Sequence, residues 1–190
     1  MAATKIHEIT ATVGKAVKYI CNPDKTDEKL LVFGYGCEDY SAELEFELTR
    51  QQHGSNSKNL ARHIIQSFSP GEVTPEQAHA IGKQLADELL RGEYEYILAT
   101  HVNCGHIHNH IIVNEVNFVT GKTFGTEHDK GKKNPAWKQI RDISDKLCME
   151  NDLSVIQNSE LGHGKSYYEW EQSQAKRSWK DKLKDVIDDC

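Results

Sequence analysis

The sequence has no run approaching the roughly 18 consecutive apolar residues of a membrane span, and no apolar stretch behind a basic start, so membrane insertion and an export leader are not expected. The location that follows is the cytoplasm. Five cysteines (Cys21, Cys37, Cys104, Cys148, Cys190) are scattered without a C-x-x-C pair, which excludes a zinc knuckle or dithiol redox motif and leaves free thiols in a reducing compartment. An excess of positive charge is missing too. Lys and Arg number 23 against 29 Asp and Glu, a net charge of -6, so the chain does not coat nucleic acid by bulk electrostatics. There is no internal repeat, and linker-like composition is confined to 54–57 and 121–134. With 190 residues and 37% hydrophobic content, residues 1–190 read as one domain around one core. The charged stretch 176–189 carries Trp179, Leu183, Val186 and Ile187 at helical spacing and stops abruptly at Cys190, as expected of the N-terminal part of a longer protein.

Charge is distributed unevenly. Residues 24–50 hold eight acids against Lys25, Lys29 and Arg50, a segment expected to face water. Residues 121–141 hold Lys122, Lys130, Lys132, Lys133, Lys138 and Arg141 against Glu127 and Asp129, with Trp137 among them. That segment is the candidate phosphate-contacting surface, although taken alone it reads equally as a solvated loop and helix face.

Apolar runs at 5–10, 30–35, 63–68, 93–100 and 107–118 predict five strands. Thr74, Pro75 and Gln77 supply an N-cap, a first-turn proline and a capping partner for a helix that buries Ala78, Ile81, Leu85 and Leu89 and stops at Gly92. A second helix follows Asn134-Pro135 with Trp137, Ile140, Ile143 and Leu147 on one face, and a third runs from Ser41 to Gln52. A short helical pattern of Ala16, Val17 and Ile20 is ended by Asn22-Pro23, with Tyr19 in its last turn. The fold class is therefore α+β, a central antiparallel sheet of five strands with helices mainly on one face.

Four of the ten histidines fall within 101–110. His108 and His110 alternate on a predicted strand, so both rings leave one face with Cα atoms about 6.6 Å apart, close enough to share a metal. The third ligand is His106 or His101. His106 and His110 would be about 13 Å apart along an extended strand, at the limit for one ion, whereas His101 lies across a tight turn from His108. The expected ligand set is His101, His108 and His110, with His106 in reserve. Three imidazoles leave coordination positions open, as a catalytic site requires.

These residues resemble the conjugative relaxases, the VirD2/MobA-like mobilisation nucleases of the histidine-hydrophobic-histidine endonuclease superfamily. The resemblance is carried by Ala16-Val-Lys-Tyr-Ile with Lys25-Thr26, by His63-Ile-Ile-Gln-Ser-Phe-Ser-Pro-Gly-Glu72 and by the Thr100–Asn114 histidine block. Ile140-Arg-Asp-Ile-Ser-Asp-Lys-Leu-Cys148 and the closing Ser178-Trp-Lys extend it. Two positions depart from the pattern: Asn103 stands where an acid that would orient a ligand imidazole is usual, and Asn109 stands between the two histidines where a hydrophobic residue is usual.

The resemblance implies strand-specific DNA nicking at an origin of transfer. Tyr19 would be the nucleophile, and His63 would bind phosphate or position Tyr19, with a satisfied core histidine as the alternative for His63. His101, His108 and His110 would hold a divalent metal, Mn²⁺ or Mg²⁺, with His106 or Asn103 as a further ligand or support. Single-stranded or hairpin DNA is the implied substrate, held by the 121–141 segment, and accessory DNA-binding proteins and a type IV secretion coupling protein are the implied partners. Tyr167 and Tyr168 are competing nucleophiles, although beside Glu169-Trp170 they read more as DNA-stacking or packing residues, and Glu72 is expected to cap a loop or the following helix. His7, His53, His79, His128 and His163 read as surface residues. Two rivals stay open: a metal hydrolase with water as nucleophile, which would tolerate Tyr19→Phe, and a non-catalytic metal or DNA-binding module, which would never yield a cut strand.

Overall fold

Strand β1 (Ala3–Ile9) opens the chain, followed by helix α1 (Val13–Ile20), a 3₁₀ turn (Pro23–Lys25), β2 (Val32–Tyr35) and helix α2 (Ala42–Gln52). Then come β3 (Ala61–Ser67), α3 (Pro75–Leu90), β4 (Tyr96–His101), β5 (His108–Asn114), a π-helical turn (Gly125–Asp129) and α4 (Ala136–Glu150). The computed structural model describes residues 2–129 and 131–155, within a compact unit, Met1–Ile156. Lys130, His163, Tyr167, Tyr168 and the expected C-terminal helix lie outside the described residues.

The five strands form one antiparallel sheet in the order β1-β3-β5-β4-β2. Alternation sends Ile64, Ile111 and Leu98 to one face, where they pack with Ile81 and Leu85 of α3 and Ile140 and Leu147 of α4. Ala61, Ile112, Ile97 and Ala99 go to the other face, against Val13, Val17 and Ile20 of α1 and Phe46 of α2. The two longer helices thus cover the first face, as expected of an α+β sheet with its helices mainly on one side. The shorter pair shares the second face with the histidines of β4 and β5.

Local chemistry fixes the ends of these elements. The Thr74 side chain caps α3 by accepting from Gln77 N at 3.2 Å, and Arg91 ends the helix in a left-handed conformation, φ 56°. Segment 121–134, expected to be loop throughout, contains the π-helical turn, which rests on Phe124 packed against Tyr94 and His128. Glu72, expected to cap a loop or the following helix, accepts from Ser154 N at 2.6 Å and fastens the chain that leaves α4.

Candidate functional site

The site is assembled where β4 ends and β5 begins. His101 and His108 are direct cross-strand neighbours, and His110 faces Ala99 one step further in. One nitrogen of each imidazole lies within 4.8 Å of the others, comparable with the width of one coordination sphere whose metal–nitrogen bonds are about 2.1 Å. Each imidazole also makes a hydrogen-bond contact. His101 Nε2 donates to the Ile20 carbonyl at 2.8 Å, His108 Nδ1 to the His106 carbonyl at 3.3 Å, and His110 Nδ1 lies 2.9 Å from His63 Nε2. These bonds set ring orientation, and donation to a carbonyl leaves His101 and His108 each with a lone pair on the other nitrogen, the arrangement that metal-binding histidines need. The Ile20 carbonyl is available because it belongs to the last turn of α1, where no intrahelical donor remains.

Burial keeps the imidazoles neutral and ready to ligate. It pushes His108 and His63 down to about 4 and lowers His101 and His110 as well, with the neighbouring rings adding to the shift at His63, His108 and His110. A neutral, hydrogen-bonded, three-nitrogen set fits a divalent ion.

Tyr19 comes to this cluster from α1. The helix buries Val13, Val17 and Ile20, which leaves Tyr19 58% exposed at the end of the sheet. Its ring centroid lies 6.1 Å from that of His101 and 6.5 Å from that of His110. Lys25 Nζ sits 3.6 Å from the centroid of the same ring.

The other expected site residues divide. His63 meets His110 and His7 rather than the Tyr19 phenol. His106 stands outside the ligand triplet, stacked on His108 with centroids 4.9 Å apart. Asn103 is exposed in the turn between β4 and β5, and the groups that orient the three imidazoles are the Ile20 and His106 carbonyls and His63 instead. His79 is not a surface residue, since it is half-buried and bonded through Nδ1 to the Thr100 hydroxyl at 2.9 Å. His128, half-buried against Phe124, is not one either.

The basic segment is not brought to the histidines. It follows the far end of β5, and the six residue steps from His108 to Asn114 carry the chain about 20 Å away. There Lys122, Lys132 and Lys133 line a cavity of about 530 Å³ with Arg91. Trp137 is exposed, while Lys138 and Arg141 are paired with Asp142 and Asp145 on α4. Around Tyr19 the positive charge comes from elsewhere: Lys15, Lys18 and Lys29 line a groove of about 1010 Å³ that Tyr19 borders, with the acids Asp39, which pairs with Lys29, and Glu43 on the same lining. Lys25 stands out in the sequence only through the Lys25-Thr26 pair, and its place on the Tyr19 ring comes from the fold.

The family described as "Relaxase: MobA/VirD2-like, nuclease domain" matches residues 19–153, a span that begins at Tyr19 and includes His101, His108 and His110. The chain belongs to this relaxase family. The group II intron-interrupted relaxase LtrB of Lactococcus lactis subsp. cremoris is 36% identical over 203 residues, covering 90% of this chain and 36% of LtrB. Two Staphylococcus aureus proteins named rlx are similar: one is 32% identical over 189 residues, covering 99% of this chain and 53% of its own length. For the other the figures are 33%, 199 residues, 100% and 57%. The chain thus spans from about a third to somewhat over half of these relatives. A solved structure titled "Molecular Basis of Vancomycin Resistance Transfer in Staphylococcus aureus" shares the fold with a TM-score of 0.53 at 14% identity, covering 85% of this chain and 100% of that one. Among the described residues no helix of this relaxase domain is long and apolar enough to cross a membrane.

Proposed function

We propose that this relaxase domain nicks one DNA strand at an origin of transfer through attack by Tyr19. The Tyr19 hydroxyl oxygen bonds to the scissile phosphorus, the bond to the 3′ oxygen breaks, and the phenol proton leaves for that oxygen or for solvent. The products are a 5′-phosphotyrosyl end on the protein and a free 3′ hydroxyl. Tyrosine suits both directions, because a phenolate attacks phosphorus and is also a competent leaving group when the strand is rejoined.

The observation that carries this reading is the approach of one exposed phenol to three inward-facing imidazoles, with ring centroids 6.1 and 6.5 Å apart for two of them. A divalent ion, Mn²⁺ or Mg²⁺, held by His101, His108 and His110 would supply Lewis-acid stabilisation of charge on the non-bridging phosphate oxygens. The protein's own part is positioning. The Ile20 carbonyl and the His106 carbonyl fix two imidazoles, His63 fixes the third, and helix α1 delivers Tyr19 to the same end of the sheet.

Single-stranded DNA enters along the Tyr19 groove, where Lys15 and Lys18 meet its phosphates. The remote cluster of Lys122, Lys132, Lys133 and the exposed Trp137 then holds flanking DNA, such as a hairpin arm. Lys138 and Arg141, already paired on α4, contribute less. In a full-length relaxase, accessory DNA-binding proteins and a secretion coupling protein complete the assembly. The test is incubation with single-stranded origin DNA and Mn²⁺ or Mg²⁺, followed by denaturing electrophoresis. A covalent protein–DNA band that disappears in Tyr19→Phe supports the reading, and a strand cut equally well by Tyr19→Phe overturns it in favour of a water nucleophile.

A further inference from the structure

Lys25 lies in a stretch of acids, with Asp24, Asp27 and Glu28 within three residues, yet no described carboxylate forms an ion pair with it. Lys29, four residues on, is by contrast held by Asp39 at 2.5 Å. The half-buried Lys25 places its ammonium on the Tyr19 ring, 3.6 Å from the centroid.

The backbone that presents it is tightly fixed. The Asn22 side chain caps the 3₁₀ turn by accepting from Asp24 N at 3.0 Å, and the wholly buried Thr26 donates its hydroxyl to the Asn22 carbonyl at 2.9 Å. The Lys25 carbonyl accepts from Val102 N at 2.9 Å, so the turn is tied to the residue that follows His101. Ligand strand, lysine and phenol therefore form one mechanical unit.

We infer that Lys25 is a positioning residue for the nicking step: its ammonium, seated on the face of the Tyr19 ring, holds an otherwise exposed phenol in line with the scissile phosphate. An exposed tyrosine at a helix end samples several rotamers, and a cation over the ring selects one of them. The same positive charge lies beside the place where the anionic phosphodiester must arrive, which disfavours a competing rotamer once DNA is bound. The inference rests on the reading of Tyr19 as nucleophile.

The test uses the whole chain, Mn²⁺ and a single-stranded oligonucleotide that the wild type nicks, recovered from a randomised pool by covalent capture under denaturing wash. In Lys25→Met, which keeps length and packing, the single-turnover nicking rate falls about 10- to 30-fold, the scale of a partly shielded cation–ring contact. Oligonucleotide affinity stays within about threefold, and the thermal midpoint is unchanged, as expected where the lost contact is local to an exposed ring. Lys25→Arg, which can also sit on a ring face, recovers most of the rate. Nicking by Lys25→Met within about twofold of wild type overturns the proposal, as does a loss seen wholly as weaker oligonucleotide binding or a failure of arginine to rescue. A lowered midpoint in both Lys25→Met and Lys25→Gln also overturns it, because Lys25 would then be supporting the fold. Failure of the underlying reading shows separately, as capture that survives Tyr19→Phe.

Discussion

Asn109 occupies the position between the two ligand histidines of β5 and points away from them into the helix-covered face, where it is wholly buried. Its amide is saturated: Nδ2 donates to Gln66 Oε1 at 3.0 Å and to the Ala78 carbonyl at 2.7 Å, and Oδ1 accepts from the Thr100 hydroxyl at 2.7 Å. Gly82, one turn beyond Ala78 on α3, makes room for it. A Cβ on residue 82 would stand 2.4 Å from Asn109 Nδ2 and 2.8 Å from its Cγ.

A double-mutant cycle on this pair has a calculable outcome. Gly82→Ala alone gains about 1 kcal/mol of helix propensity but must displace the amide or α3, at a cost of about 2–4 kcal/mol from overpacking and broken buried hydrogen bonds. The net effect is destabilisation by about 1–3 kcal/mol. Asn109→Ala alone strands Gln66 Oε1 and removes the Thr100 acceptor, costing about 2–4 kcal/mol. In the Asn109→Ala background the collision is gone, and the nearest remaining atom is Leu98 Cδ1 at 3.1 Å, the tip of a side chain that can shift. Gly82→Ala should there become stabilising by up to about 1 kcal/mol. The expected coupling is about 2–4 kcal/mol, read from urea unfolding of the four chains. Equal effects of Gly82→Ala in both backgrounds, within about 0.5 kcal/mol, would refute the packing argument.

Other expectations follow from the same geometry. Tyr19→Phe leaves the thermal midpoint and Mn²⁺ affinity unchanged, because the hydroxyl makes no buried bond, and it eliminates the covalent adduct. Saturation with Mn²⁺ at about 100 times its dissociation constant stabilises the protein by about 2.7 kcal/mol, a rise of about 5–10 °C in calorimetry, and His108→Ala or His110→Ala abolishes the rise. The metal-free protein loses stability as pH falls: His63 and His108 titrate at about 4 when folded against an ordinary 6.5, so below 6.5 the unfolded chain takes up protons that the folded one refuses. Resistance to chemical denaturation should fall steadily as pH drops between those values, and a flat profile would contradict the buried-imidazole description.

The clustering of His101, His108 and His110 was legible because it obeys a period-two rule. His108 and His110 had to share a face, and the span of an extended strand favoured His101 over His106. Helix α3 was equally plain from Thr74, Pro75 and its apolar spacing. What escaped notice depends on contacts distant in sequence. Asn109 reads as a departure from a hydrophobic pattern until Gln66 and α3 are brought against it. His79 reads as surface until Thr100 reaches its ring. Lys25 is hidden by the acids around it, because its partner is chosen by the turn that folds it over Tyr19 and not by local charge. The position of the basic segment was recoverable in part, since a strand that begins at His108 must carry the chain away from the metal site before residue 121.

The most direct test of the account is to trap the wild-type domain on a cleaved strand, digest it, and locate the nucleotide-bearing peptide by mass spectrometry. The account predicts a phosphodiester on the Tyr19 side chain, formed only when His101, His108 and His110 are intact. Attachment at Tyr167 or Tyr168, or a cut strand with a free 5′ phosphate and no protein attached, would contradict it.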